Sequence, residues 1–222
     1  MRGSPLAGVD NKMRRMVLAL AIASFATHAN ARDRLDPIAP ELMEAAPALA
    51  PFQHIRFCLR YPSDCKSDPA ETDRIDLTAQ KLELLDHVNR IVNTTIVPTV
   101  KTHGVAIGDG WTIAPSIGDC NDYAVTKRHA LLRSGLPAKA LRLSIVKTRS
   151  EIGHLVLVVV TTKGDLVLDN LTETILPWQS TDYHWLKIQS ASDARLWFAV
   201  GAAGGISPAD RKPSRVLARV PG

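Results

Sequence analysis

The sequence predicts an α+β fold in which N-terminal helices pack on an antiparallel sheet. Early in the chain, apolar residues recur at helical spacing; from about residue 141 the period falls to two and β-branched residues dominate. Helices first and strands afterwards is the order of an α+β domain, not of repeating βαβ units.

Leu84, Leu85, Val88, Ile91 and Val92 share one face of a helix that ends near Thr94, with Asp76 or Thr78 available as its N-cap. A second helix is predicted from about Cys120 to Arg133, capped by Asp119 and stopped by Gly135 and Pro137. Leu141, Leu143 and Ile145 then alternate with Arg142 and Ser144, as in a half-buried strand, and residues 154 to 161 read as a fully buried one. Lys163-Gly164-Asp165 is a predicted turn into a further strand over residues 166 to 169.

The 222 residues suffice for one domain with a real core, expected at residues 52 to 199. Arg14 and Arg15 precede an apolar run over residues 16 to 26 that is too short to span a bilayer, and Ala29-Asn30-Ala31 offers a small-x-small cleavage site. Residues 1 to 31 are therefore expected to be a secretory signal peptide, with Met13 as the true start and an uncleaved anchor as the alternative. Export implies a periplasmic or secreted protein. An Ala/Pro-rich stretch, residues 32 to 51, reads as a flexible leader, and residues 200 to 222 as a basic, disordered tail.

The formal net charge of +5 is concentrated at the ends. Arg2, Lys12, Arg14 and Arg15 against Asp10 give the first 31 residues +3, and Arg211, Lys212, Arg215 and Arg219 against Asp210 give the tail +3, so the body is near −1. That balance leaves no electrostatic footprint for a nucleic acid.

The chemistry is carried by GDCNDYA, residues 118 to 124, which sets Cys120 at a helix start. Unpaired N–H groups and the macrodipole there favour a thiolate and can stabilise an oxyanion. His154 begins one strand-like segment and Asp169 ends the next. Thiol, imidazole and carboxylate in that order supply an attacking sulfur, its base and the carboxylate that orients the base. Taken alone, each is more often structural. The turn raises a difficulty: a two-residue connection at Lys163-Gly164 would set Asp169 opposite Val158, about 13 Å along the strand from His154. Contact requires a longer connection centred near Thr161 and Thr162, or a bulge; Asn170 would point to the other face.

Cys58 and Cys65 close a short loop over Pro62 and, in an exported chain, are expected to form a disulfide that leaves Cys120 unpaired; a Cys/Cys/His metal site is the runner-up. Trp111, Trp178, Tyr183 and Trp185 are candidates for a peptide cleft, Trp111 as a neighbour of the oxyanion, or else core cover.

The segments FCLRYPSDC, HVNRIVN, GDGWTIAP, GDCNDYAVTKRHALLRSG, LRLSIV, IGHLVLVV, GDLVLDN, the Trp178 to Tyr183 spacing and the QS at Gln189 resemble, in order over residues 52 to 198, the bacterial transglutaminase-like cysteine proteinase family. The resemblance implies a papain-like and transglutaminase-like fold, a periplasmic location and a triad on Cys120, His154 and Asp169. It further implies a protein or peptide substrate, a large surface adhesin in the best-understood members, and an inner-membrane regulatory receptor. No cofactor is required for the chemistry. Calcium-dependent relatives resemble Asp-Cys-Glu-Asp at the nucleophile; here Asn121 replaces the Glu, so Asp119 and Asp122 read either as calcium ligands or as a cap and a first-turn helix acid. Peptide cleavage is the leading function, with transglutaminase-type acyl transfer and a non-catalytic binding module as alternatives.

Overall fold

A computed structural model describes residues 41–99 and 110–202. The expected signal peptide, residues 32–40 of the leader and the tail from residue 203 lie outside the described residues. The chain is α+β, as the periodicities predict. Among the described residues three helices, α1 (Phe52–Arg60), α2 (Ala79–Thr95) and α3 (Cys120–Arg133), accompany nine strands: β1 (Leu42–Ala48), β2 (Val97–Pro98), β3 (Ile117–Gly118), β4 (Leu141–Lys147), β5 (Gly153–Val159), β6 (Leu166–Leu168), β7 (Leu176–Pro177), β8 (His184–Gln189) and β9 (Trp197–Ala202). Seven of them form one sheet in the order β1-β9-β8-β4-β5-β6-β7, each pair antiparallel. A parallel pair, β2 with β3, ties the end of α2 to the entry of α3.

The α2 cap is Thr78, whose hydroxyl accepts the Lys81 N–H. The first core joins Leu85, Val88 and Val92 of α2 and Val125 and Leu131 of α3 to Leu143, Leu155, Leu157 and Leu168 of the sheet. Val146, Val156, Val158, Val167 and Ile188 build a second on alternate strand positions, with Trp178 against Trp185 at 5.9 Å, edge to face. Because both faces of β4 are covered, Arg142 and Ser144 are buried, where simple alternation would expose them. Their polar atoms are satisfied locally: the Arg142 guanidinium donates to the Gln189 carbonyl and to Glu44, and the Ser144 hydroxyl to the Lys187 carbonyl.

Both ends of the domain are longer than the composition indicates. The Ala/Pro-rich leader supplies strand β1, where Met43 pairs with Gly201 and Glu44 with Val200, so residues 42–48 are sheet and not flexible leader. A low-complexity look hid it because β1 carries Pro47 at an irregularity of an edge strand, where a missing N–H is tolerated. The Leu42 N–H donates to buried Asp165 and Arg142 pairs with Glu44, anchoring the strand by two long-range contacts. At the other end β9 runs to Ala202, past the expected boundary at residue 199.

Cys58 and Cys65 are joined, with S–S 2.06 Å and Cα–Cα 5.5 Å, clipping α1 to the short 3-10 helix Pro62–Cys65. His54, one turn before Cys58, brings its ligand atoms and both sulfurs within 4.8 Å of one another. An oxidised pair has no thiolates to offer a metal, so the runner-up reading of the two cysteines gives way to the disulfide.

Candidate active site

Cys120 is the first residue of α3 and the free cysteine of the described chain, half-buried. Its turn is locked by a reciprocal capping box. The Asp119 side chain accepts the N–H groups of Asn121 and Asp122, and the Asp122 carboxylate returns to the Asp119 N–H at 3.0 Å. The other Asp122 oxygen accepts the Thr112 N–H at 2.8 Å, tying the segment around Thr112 to the turn that carries Cys120. Gly118 is required by this packing, since a Cβ there would lie 2.8 Å from the Asp122 Cβ. A cap of this kind contributes about 1 kcal/mol to the helix, and it holds the sulfur at the positive end of the dipole.

His154 lies at the start of β5, opposite Val146, 6 % exposed; Asp169 follows β6 directly, 2 % exposed. Leu157 pairs with Leu168 and Val159 with Leu166, so by continuation Asp169 stands level with Val156. That is a diagonal neighbour of His154, about 7–8 Å away along the backbone and within reach of two side chains. The connection is longer than a two-residue turn because Ile75 bridges residues 160–162: its N–H donates to the Val160 carbonyl and its carbonyl accepts the Thr162 N–H. Asp169 Oδ1 is 2.7 Å from His154 Nε2, which leaves Nδ1 as the ring nitrogen for the sulfur.

Asp169 is held from every side. Its Oδ1 also accepts the Leu171 N–H, its Oδ2 accepts the Tyr183 hydroxyl, and its backbone carbonyl accepts from Asn93 Nδ2 of α2. Burial alone would raise this carboxyl's pKa, but the hydrogen bond and charge of His154, with the Tyr183 and Leu171 donors, hold it low. For His154, burial disfavours the charged form; hydrogen bonds to Asp169 and Cys120, and their charges, outweigh it and push the pKa up to about 9. The imidazolium is therefore the resting form at neutral pH, beside a helix-start thiol.

The aromatic expectations need correcting. Trp111 is 5 % exposed and its ring packs 5.5 Å from His54 and 6.3 Å from Phe57, in the core cluster against which Cys120 also packs. Trp178 and Trp185 likewise cover the sheet. Tyr183, expected as cleft wall or core cover, bonds Asp169 through its hydroxyl; a tyrosine 14 residues after an aspartate carries no local signal of that bond. Asp119 and Asp122 are the capping box just described.

A helix-start thiol beside a buried histidine–aspartate pair on an antiparallel sheet is an arrangement suited to thiol acyl-transfer chemistry, and the class is that of the cysteine peptidases. The chain belongs to the bacterial transglutaminase-like cysteine proteinase family (BTLCP), whose description matches residues 44–204. Among solved structures it is similar to Legionella pneumophila LapG, with 26 % identity and a TM-score of 0.46 over 58 % of this chain and 72 % of that one. The calcium-bound form of the same Legionella protein aligns at 24 % identity and a TM-score of 0.47, over 59 % of this chain and 77 % of that one. The EGTA-treated form aligns at 24 % identity and a TM-score of 0.45, over 58 % and 74 %. No curated protein matches the chain.

Proposed function

We propose that this chain is an exported thiol peptidase that cleaves a protein through an acyl-enzyme on Cys120. The observation that carries the reading is the buried 2.7 Å contact between His154 and Asp169 beside the helix-start thiol. The Cys120 thiolate attacks the peptide carbonyl carbon, and the backbone N–H of Cys120, which the capping box does not engage, is the donor for the developing oxyanion. The His154 imidazolium gives its proton to the departing amine as the C–N bond breaks, leaving a thioester. Neutral His154 then takes a proton from water, the hydroxide displaces the sulfur, and thiolate and imidazolium are restored. Asp169 stays ionised throughout, holding the ring and offsetting its charge.

Export is supported by the Cys58–Cys65 disulfide, and among the described residues no helix is long and apolar enough to cross a membrane. A periplasmic location, a large surface adhesin as substrate and an inner-membrane receptor as regulator are proposals that follow from the family resemblance.

Calcium is found on the Legionella relative. Among the described residues Asp119 and Asp122 are the acids beside the thiol, two carboxylates against the roughly six to eight oxygens calcium takes. Asp122 is buried with both oxygens on backbone N–H groups, Asp119 Oδ1 accepts two donors from Asn121, and Asn121 itself is neutral. Each Asp122 oxygen keeps a second lone pair beyond its capping bond, so these acids would hold a cation weakly and without a third carboxylate; no step is routed through it.

Mass spectrometry after brief iodoacetamide treatment at neutral pH tests the reading. Cys120 should be alkylated faster in the folded chain than in a denatured control, and Cys120→Ala should abolish turnover of a peptide substrate without lowering Tm. Equal slow labelling in both states would refute an activated thiol. Product that carries an added amine in place of water would move the activity to the transglutaminase type, and a reactive thiol with no turnover would favour the binding module.

A further inference from the structure

Lys127 lies on α3 seven residues after Cys120, which at 3.6 residues per turn returns it to the same side two turns on. Long side chains on a helix lean toward its N-terminus, so the ammonium is directed back toward the nucleophile's end. The residue is 0 % exposed, and Nζ has no hydrogen-bond partner among the described residues. Packing does not account for such a group. A buried cation without a partner is costly, and an apolar side chain of equal length would fill the space without that penalty.

What acts on Lys127 is Asp169. Burial drives the lysine pKa down to about 7 against the upward pull of that carboxylate. The carboxylate's own hydrogen bonds go to His154, Leu171 and Tyr183, so the ammonium works through its field and not through a bond. From α2, Asn89 and Asn93 face the same region, neither titratable; their amide nitrogens hold the carbonyls of Glu173, and of Asp169 and Thr172. The amide oxygens of Asn89, Asn93 and Asn170 are buried without partners too, an acceptor-rich lining on the elements flanking Asp169.

A thiolate, an imidazolium and a carboxylate sum to −1, which is unfavourable in a largely buried site. One buried ammonium, in its protonated form, brings the set to zero. We propose that Lys127 is a positioning residue that neutralises the Cys120–His154–Asp169 set and keeps Asp169 ionised against the imidazole. The inference rests on the triad reading above and adds a fourth, non-contacting member to it.

The test follows alkylation of Cys120 by iodoacetamide against pH in the full chain, with Tm measured alongside, for Lys127→Met, Lys127→Gln, Lys127→Arg and His154→Ala. Without the cation, the midpoint of alkylation should rise by about one pH unit in the Met and Gln variants, a roughly tenfold loss of rate on its acid side. Lys127→Arg, which keeps the charge, should keep the native midpoint. The Tm of Lys127→Met should not fall, since the costly buried charge is gone. A native midpoint in the Met or Gln variant overturns the proposal, and a lowered Tm with an unmoved midpoint assigns Lys127 to packing. Should Lys127→Met fail to fold, the Gln variant decides alone. If His154→Ala leaves the profile unchanged, it is the triad reading that fails.

Discussion

Two buried histidines, each beside a cysteine sulfur, are driven in opposite directions in this molecule. His54 of α1 is 1 % exposed, with Nε2 3.5 Å from Cys58 Sγ, and its pKa falls to about 4. His154 is as deeply buried, yet its pKa rises to about 9. Burial pushes both downward; the neighbours decide the outcome. Around His54, Trp197 Nε1 donates to Nδ1 at 3.1 Å, which puts the neutral ring's one proton on Nε2 with Cys58 Sγ at 3.5 Å; Gln189 turns its amide nitrogen, not an anion, to Nε2 at 3.0 Å. Gln189 is fixed in that sense, because its Oε1 accepts the Leu143 N–H and its Nε2 donates to the Ala194 carbonyl. The Arg128 charge adds to the burial effect. Around His154 stand an ionised carboxylate and a thiol. One ring is a neutral structural plug beside a disulfide, and the other an imidazolium beside a free thiol.

The most severe way to break the contrast is Asp169→Asn. Removing the anion should bring the His154 pKa down toward that of His54 and cut peptidase turnover by roughly two to four orders of magnitude. NMR titration of the two rings checks it, with His54 unmoved as internal control. A His154 that still titrated near 9 would show that Asp169 is not what holds its proton.

Opening the disulfide acts at the other histidine. The Cys58→Ala, Cys65→Ala double variant should lose about 2 kcal/mol of stability and leave the alkylation rate of Cys120 within twofold, since the clip lies at α1 and not at α3. Denaturant melts and labelling rates on the same samples decide the matter.

The histidines also oppose each other in the pH dependence of stability. The raised pKa of His154 contributes stability that is complete below pH 6.5 and lost as pH rises toward 9. His54 stays neutral in the fold while the unfolded chain takes up a proton, so stability falls as pH drops from 6.5 toward 4. Their joint contribution should peak near pH 6.5. Trp197→Phe, which removes a donor from His54, should flatten the acid limb and leave the alkaline limb as it was.

The smallest effect expected is that of calcium. The native chain should bind it no more tightly than about millimolar, with turnover unchanged by EGTA, and Asn121→Glu should tighten binding by adding a third acid. Calorimetric affinity in the micromolar range for the native chain would mean that Asp119 and Asp122 form a full calcium site and not only a cap and a first-turn acid.

What was legible in the sequence is local. Asp119 two residues before Asn121, Gly135 and Pro137 after Arg133, and Thr78 before α2 specify helix ends through bonds made within one turn, and a period of two in residues 141 to 145 needs no partner to be read. The thiol at the first turn of α3 follows from those rules. What joins His154 to Asp169 does not, because the register of β5 on β6 is decided by Ile75 bridging residues 160–162 from more than 80 positions away. The same holds for β1, hidden in an Ala/Pro-rich stretch until β9 pairs with it, and for Tyr183 and Lys127, which meet the field or the oxygens of Asp169 from separate elements. Tertiary structure decided these because a sheet's register, and the charge a buried group carries, are settled by partners distant in sequence, whereas a helix cap is settled by its own next three residues.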